Sequence, residues 1–279
     1  MSVRKPETPR LLPLWILVTM LGLAAVGYLA GRADMDTEEA EEAAAIEVDP
    51  LDLGIAAHGG LSKWQSYASL EYDVESYGSV QHHMIDLTSR RTLLETEAFR
   101  IGFDGTNVWV TPGLDAVRVR PSFLNGLDFY FFGMPFVLAD PGVIRESLGR
   151  VTVGHEEFEA VRISFQEGIG GSPDDSYIAH FDPTTHRLRF LLYTVTFFSG
   201  EPSENLNARV YDEWQQLGGL TVPAKATSYA WDAEKETFGT ARGEAVYSNV
   251  QFSADAPADS MFAMPEGAEL DVQTVGAEE

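Results

Sequence analysis

LEYDVE, residues 70–75, sets an apolar side chain against an acidic one at every step. Successive side chains of an extended chain point to opposite faces, so Leu70, Tyr72 and Val74 share one face while Glu71, Asp73 and Glu75 share the other. One dry face and one wet face mark a strand in a half-covered sheet. The same alternation sets Val117 and Val119 against Arg118 and Arg120, and Val161, Ile163 and Phe165 against Arg162 and Ser164. Further strands are predicted over residues 80–87, 92–103, 107–111, 176–181, 187–198, 208–214, 224–231 and 240–252. Asp104-Gly105, Asp182-Pro183-Thr184-Thr185 and Gly218-Gly219 supply turn chemistry between them. No rhythm of strand and crossover helix occurs, so the strands form an antiparallel meander.

Residues 187–198, RLRFLLYTVTFF, are apolar on both faces over most of their length. Such a strand must be covered twice, by helices on one side and by the sheet's own curvature on the other. Helical cover is predicted at residues 50–65 and 135–148. Asp49 before Pro50 is an N-cap followed by proline at the first helical position, and Leu51, Ile55, His58 and Trp64 then recur at roughly helical spacing. Gly59-Gly60 either breaks that helix or lets it approach another surface closely. The fold class is α+β: a large curved antiparallel sheet of about ten or eleven strands with a few helices on its concave side.

Residues 129–142, FYFFGMPFVLADPG, carry more aromatic side chains than a two-sided strand needs, and two prolines that forbid a regular ladder or helix through them. They read either as a plug for the core or as the lining of an apolar cavity.

The amino end adds a location. Residues 11–31 are uncharged and almost wholly apolar, Arg4, Lys5 and Arg10 precede them, and carboxylates without a base follow Arg32. A helix of about 31 Å spans a hydrocarbon core, and the charge pattern puts the amino end inside and the rest outside. The expected organisation is a membrane anchor or uncleaved signal at 1–33, an acidic linker at 34–49, a β-rich extracytoplasmic domain at 50–265 and an acidic tail at 266–279. Gly31-Arg32-Ala33 offers small residues to a signal peptidase, so a cleaved, exported soluble form is the alternative. The chain has no cysteine, which removes disulfides, thiol catalysis, thiolate metal sites and amino-terminal lipidation together.

Net charge is −24, and the 29 acidic and 15 basic residues between Pro50 and Pro265 leave the folded part itself near −14. Such a surface repels nucleic acid and anionic headgroups. Lysine is confined to Lys5, Lys63, Lys225 and Lys235. Scarce lysine beside abundant carboxylate fits adaptation to high salt, and equally fits simple acidic solubility.

AHGGLSKW (57–64), FYFFGMPFVLADPG, GGSPDDSYIAHFDPTTHRLRFLLYTVTFF (170–198) and YDEWQQLGGLTVPAKATSYAW (211–231) resemble a family of uncharacterised exported bacterial proteins. That family is distantly similar to periplasmic lipoprotein carriers of the LolA and LppX type. The resemblance runs in pieces from about residue 52 to 265 and implies a half-open β-barrel whose hollow holds acyl chains or another apolar ligand. It implies no reaction. The long cysteine-free anchor departs from carriers that diffuse freely between membranes.

Candidate chemistry is sparse. His82 and His83 are adjacent and face opposite ways on a strand. His180 and Asp182 share a face, but two ligands make no metal site, and Asp182 is better explained by its turn. His58 beside Gly59-Gly60 reads as a satisfied, half-buried histidine rather than a base. Asp174-Asp175 is a polar turn, lacking the alternating oxygen ligands of a calcium loop. Nucleophile elbows, phosphate loops and dinucleotide fingerprints are absent. No catalytic residue, metal ligand or cofactor is therefore assigned. The expected function is a non-catalytic, membrane-tethered envelope module for an apolar small molecule or lipid, with Trp64, Phe129, Tyr130, Phe132, Met134, Phe136, Leu191 and Tyr193 as its lining. Its partners are that ligand and the membrane, with no nucleic acid. The alternatives are an envelope interaction module with a filled core, whose protein partner the sequence leaves unnamed, and a hydrolase built on His58, His180 and nearby carboxylates.

Overall fold

A computed structural model of the chain describes residues 48–76, 78–166 and 175–272. The apolar run 11–31, most of the linker and the end of the acidic tail lie outside the described residues. Among the described residues no helix is long and apolar enough to cross a membrane.

Thirteen strands form one sheet in which every pairing is antiparallel. The first meander is β1 (Ser69–Ser76), β2 (Ser79–Asp86), β3 (Thr92–Glu95), β4 (Arg100–Phe103) and β5 (Val108–Thr111). The second is β6 (Val143–Val153), β7 (Glu156–Phe165), β8 (Tyr177–Phe181), β9 (Leu188–Tyr193), β10 (Asn207–Leu217), β11 (Leu220–Asp232) and β12 (Thr237–Ser253). β12 returns to pair with β1, Leu70 opposite Phe252, which joins the two meanders side by side. β13 (Glu269–Leu270) adds to β5. The spatial order is β13-β5-β4-β3-β2-β1-β12-β11-β10-β9-β8-β7-β6. β5 and β6, consecutive in the chain, therefore sit near opposite ends of the sheet, and the segment between them must traverse its face.

Three helices and a 3-10 turn lie on that face. In α1 (Pro50–Ala57) the Asp49 carboxylate accepts a hydrogen bond from the Leu51 amide at 2.9 Å, and Pro50 opens the first turn, as the sequence indicates. Gly59 and Gly60 at φ 111° and 90° end it, and α2 (Leu61–Trp64) follows. α3 (Pro121–Phe132) and the 3-10 turn Phe136–Ala139 belong to the crossing segment. Leu51, Ile55, Trp64, Phe129, Phe132 and Phe136 pack in one core with Leu70, Tyr72, Val74, Val161, Phe181, Leu191, Tyr211 and Tyr247 of the sheet.

The opposite face has its own covers. Residues 254–268 carry Phe262, wholly buried, against Met84, Leu93 and Trp109, whose indole N–H donates to the Phe262 carbonyl at 2.9 Å. Phe158, Phe190, Leu192 and Ala208 form a second cluster over β7–β10. β9 is thus buried on both sides, Leu188 and Leu191 into the main core and Phe190 and Leu192 into the outer one.

The structure corrects the expected architecture in four places. The sheet has thirteen strands rather than ten or eleven, and it stays open instead of curling into a half-open barrel: β6 and β13 are its two ends. Both ends are blunted, β13 by its two-residue length and β6 by Arg145, Glu146, Arg150 and a bulge between Ser147 and Gly149. The helix expected at 135–148 is a 3-10 turn followed by β6, because Pro135 and Pro141 allow no longer helix. The helix sits earlier, in α3. The stretch 117–120 is no strand, and the side of β5 away from β4 is paired with β13 instead. The stretch 92–103 breaks into β3 and β4 around Thr96, whose hydroxyl bonds the Phe99 amide and carbonyl.

Gly54 allows α1 to touch the sheet, because a methyl group there would run into the buried ring of Phe181. Alanine gains about 1 kcal/mol of helix propensity but overpacks a closed contact, which costs about 1–3 kcal/mol. Gly54→Ala is therefore expected to lower the unfolding free energy in a denaturant titration, whereas a solvent-facing glycine in a helix would raise it.

Candidate functional site

The crossing segment builds the site. Arg120 is extended, Pro121 starts α3, and the Asp271 carboxylate accepts from the Ser122 amide at 2.8 Å and from Arg120 at 3.0 Å. α3 stops at Gly133, two residues before Pro135. Its inward side chains stack on the sheet: Phe132 on Tyr72 with centroids 4.5 Å apart and planes 7° off parallel, and Phe131 edge-on to Tyr193 at 5.1 Å. Past the helix, Phe136 stacks on Trp64 at 4.8 Å.

The eight residues predicted as a lining are placed as follows. Trp64, Phe129, Phe132, Met134, Phe136 and Leu191 meet in the main core, none more than 4% exposed. Tyr193 is partly buried at its border, and Tyr130 is 39% exposed on the outer side of α3. A side chain with almost no surface open to a water-sized sphere borders no void that could hold one. The six buried residues therefore fill the space between the covering segment and the sheet, with Trp64 stacked on Phe136.

Several polar groups lie beneath α3 that the sequence reading did not select. The Tyr211 hydroxyl donates to the Phe131 carbonyl at 2.9 Å, and the Thr92 hydroxyl to the Asn125 side-chain carbonyl at 2.5 Å, both pairs buried. Arg209 donates to Ser228 Oγ at 2.8 Å and to Tyr247 Oη at 3.1 Å, and its guanidinium lies 4.9 Å from the centre of the Phe131 ring. Burial raises the Asp128 carboxyl pKa, with the charge of Arg209 acting the other way. The available signal was Arg209 and Tyr211 alternating with Ala208 and Val210, but alternation alone does not say which set faces inward.

The histidines are structural. His58 Nδ1 donates to the Thr221 carbonyl at 2.9 Å while Nε2 accepts from the Leu188 amide at 3.2 Å, tying the end of α1 to β11 and β9. It is fully buried rather than half-buried, and burial lowers its pKa to about 4. His180 stacks on Phe190 at 4.0 Å in the outer cluster and is lowered to about 4. His58 and His180 thus occupy opposite faces of the sheet, and the hydrolase arrangement does not assemble. Asp182 accepts from the Thr184 and Thr185 amides, as its turn requires. His83 stacks inward on Tyr72, whereas His82 pairs with Asp73 at 2.7 Å on the other face. Among the described residues no three His, Asp or Glu side chains gather so as to hold a metal ion.

Residues 120–206 match the model of a family of unknown function, DUF6503. The fold is similar to that of a LolA superfamily protein from Nitrosomonas europaea, at 11% identity and a TM-score of 0.44, over 70% of this chain and 88% of that one. A DUF1329 family protein from Desulfovibrio piger gives 7% identity and 0.46 over 77% and 95%, and the lipoprotein LppX of Mycobacterium tuberculosis 10% and 0.26 over 75% and 99%. No curated protein matches the chain by sequence. The chain is distantly similar to LolA superfamily and LppX proteins.

Burial also lowers the His83 pKa to about 3, so three histidines are held neutral in the folded chain. The unfolded chain takes up protons below about pH 6.5 while the folded chain does not until about pH 4, so stability is full above 6.5 and falls between these values. Denaturant unfolding at stepped pH is expected to show that decline. His58→Ala should lose about 2–4 kcal/mol at neutral pH through two orphaned backbone groups and a cavity, with a shallower decline below 6.5. An unchanged acid slope in this variant would remove His58 from the account.

Proposed function

We propose that the chain is a non-catalytic, membrane-tethered module of the cell envelope that binds an apolar ligand, a lipid or lipoprotein acyl chain, between α3 and the sheet. Residues 11–31 serve as the anchor, 34–49 as the spacer, and the domain beyond them is extracytoplasmic. The observation that carries the reading is the aromatic bed from Trp64 to Tyr193, closed by a helix whose buried ties to the sheet include hydrogen bonds, Tyr211 to Phe131 and Thr92 to Asn125. Hydrogen bonds of this kind exchange for water at small net cost, about 0.5–1.5 kcal/mol each, whereas the rings they cover keep their affinity for an alkyl chain. Lifting α3 then exposes apolar surface that an acyl chain covers again, at roughly 25 cal/mol per Å² before ordering losses.

The second reading, an interaction module with a solid interior, is favoured by the near-zero exposure of the six buried lining residues. The two differ in whether α3 must move. The chain lacks cysteine, so a Thr92→Cys, Asn125→Cys pair, placed where the two native side chains hydrogen-bond, meets no competing thiol when oxidised to a disulfide lock. Binding of a fluorescent fatty acid by residues 34–279 is expected when the lock is reduced and to stop when it is oxidised. Binding that ignores the lock, or no binding in either state, supports the solid interior.

A further inference from the structure

The bed beneath α3 is not purely apolar. Arg209 on β10 is 5% exposed, and two of its nitrogens bond Ser228 and Tyr247 while Nε is buried with no partner. Tyr72 on β1 is wholly buried beneath Phe132, and its hydroxyl also lacks a partner. The Tyr72 and Tyr247 rings are 5.9 Å apart, so the phenol that Arg209 holds adjoins the one with the free hydroxyl. No carboxylate forms a salt bridge with Arg209 among the described residues, and Asp128 on α3 acts on Arg209, Tyr72 and Tyr247 only through space. Buried polar groups in native proteins are satisfied, and a buried guanidinium is usually matched by an anion. Two free donors beside a buried guanidinium that makes no ion-pair contact describe a receptor for a singly charged, two-oxygen head. A phosphate dianion would bring surplus charge next to Asp128.

We propose that Arg209, Tyr72 and Tyr247 form a head-group site for the carboxylate of a long-chain fatty acid whose alkyl chain lies in the aromatic bed under α3. The proposal rests on the apolar-ligand reading above and names its ligand class. The carboxylate takes the Arg209 Nε–H and the Tyr72 hydroxyl, the two buried donors without a partner. The ligand thereby replaces the acceptor missing in the closed state.

The test uses the full-length chain in lipid nanodiscs with photoreactive palmitic acid and photoreactive palmityl alcohol of the same length. The acid is expected to reach half-maximal labelling at about tenfold lower concentration than the alcohol, the value of a hydrogen-bonded charge in a closed site. Tyr72→Phe should erase most of that preference while leaving the melting temperature unchanged or raised, because it removes only an unsatisfied hydroxyl. A merely structural Tyr72 would instead lower the melting temperature and both labels together. Equal labelling by acid and alcohol overturns the head-group site and leaves the apolar site standing. Labelling by neither overturns the apolar reading itself. Millimolar acetate is expected to leave palmitate labelling intact, and competition by acetate would reassign the site to small free carboxylates.

Discussion

The constraint on which the molecule depends is topological. β5 and β6 lie near opposite ends of a thirteen-stranded sheet, so the chain between them must cross the sheet's face before the second meander can start. A crossing segment on an apolar face has to be apolar itself and has little length in which to bury a wide surface. Aromatic side chains bury about 150–250 Å² each, more than any aliphatic one, which is the physical reason for the aromatic density of residues 129–136. The stack of Phe132 on Tyr72 is the centre of that contact, with both rings wholly buried.

Other features follow from holding such a cover in place. His58 serves as a neutral bridge whose two nitrogens fasten α1 to β9 and β11, so its value lies in having a donor and an acceptor at once. Gly54 removes a side chain where α1 meets the Phe181 ring of the sheet. α3, by contrast, is tied by hydrogen bonds at Asn125 and Phe131 and lies over a buried arginine. Both covers are thus packed on the core, the first bridged by an imidazole and the second by hydroxyl hydrogen bonds.

Much of the sheet was legible because its strands alternate cleanly: Leu70, Tyr72 and Val74 face the core as their period requires, and β9 is buried on both faces as its composition demands. The strand β6 was not legible, because an edge strand needs only one covered face and its exposures alternate between intermediate and open. Val117 to Arg120 carried a strand pattern without a strand, since alternation says nothing about whether a neighbour is available to pair. Barrel closure was likewise beyond the sequence, because it depends on how the sheet ends meet and not on any local period. Six of the eight residues chosen by composition meet in one core, but a hollow and a packed core use the same rings. The polar groups below α3 went unseen because Arg209 and Tyr211 could have faced either side of β10.

The most direct measurement is native mass spectrometry, with organic extraction, of the domain purified from a bacterial envelope in molar salt without added lipid. The account predicts a defined fatty-acid or lipid mass at near-unit stoichiometry, released when the protein unfolds. A clean apo mass that stays unchanged after incubation with fatty acid would contradict it and leave the aromatic bed as core alone.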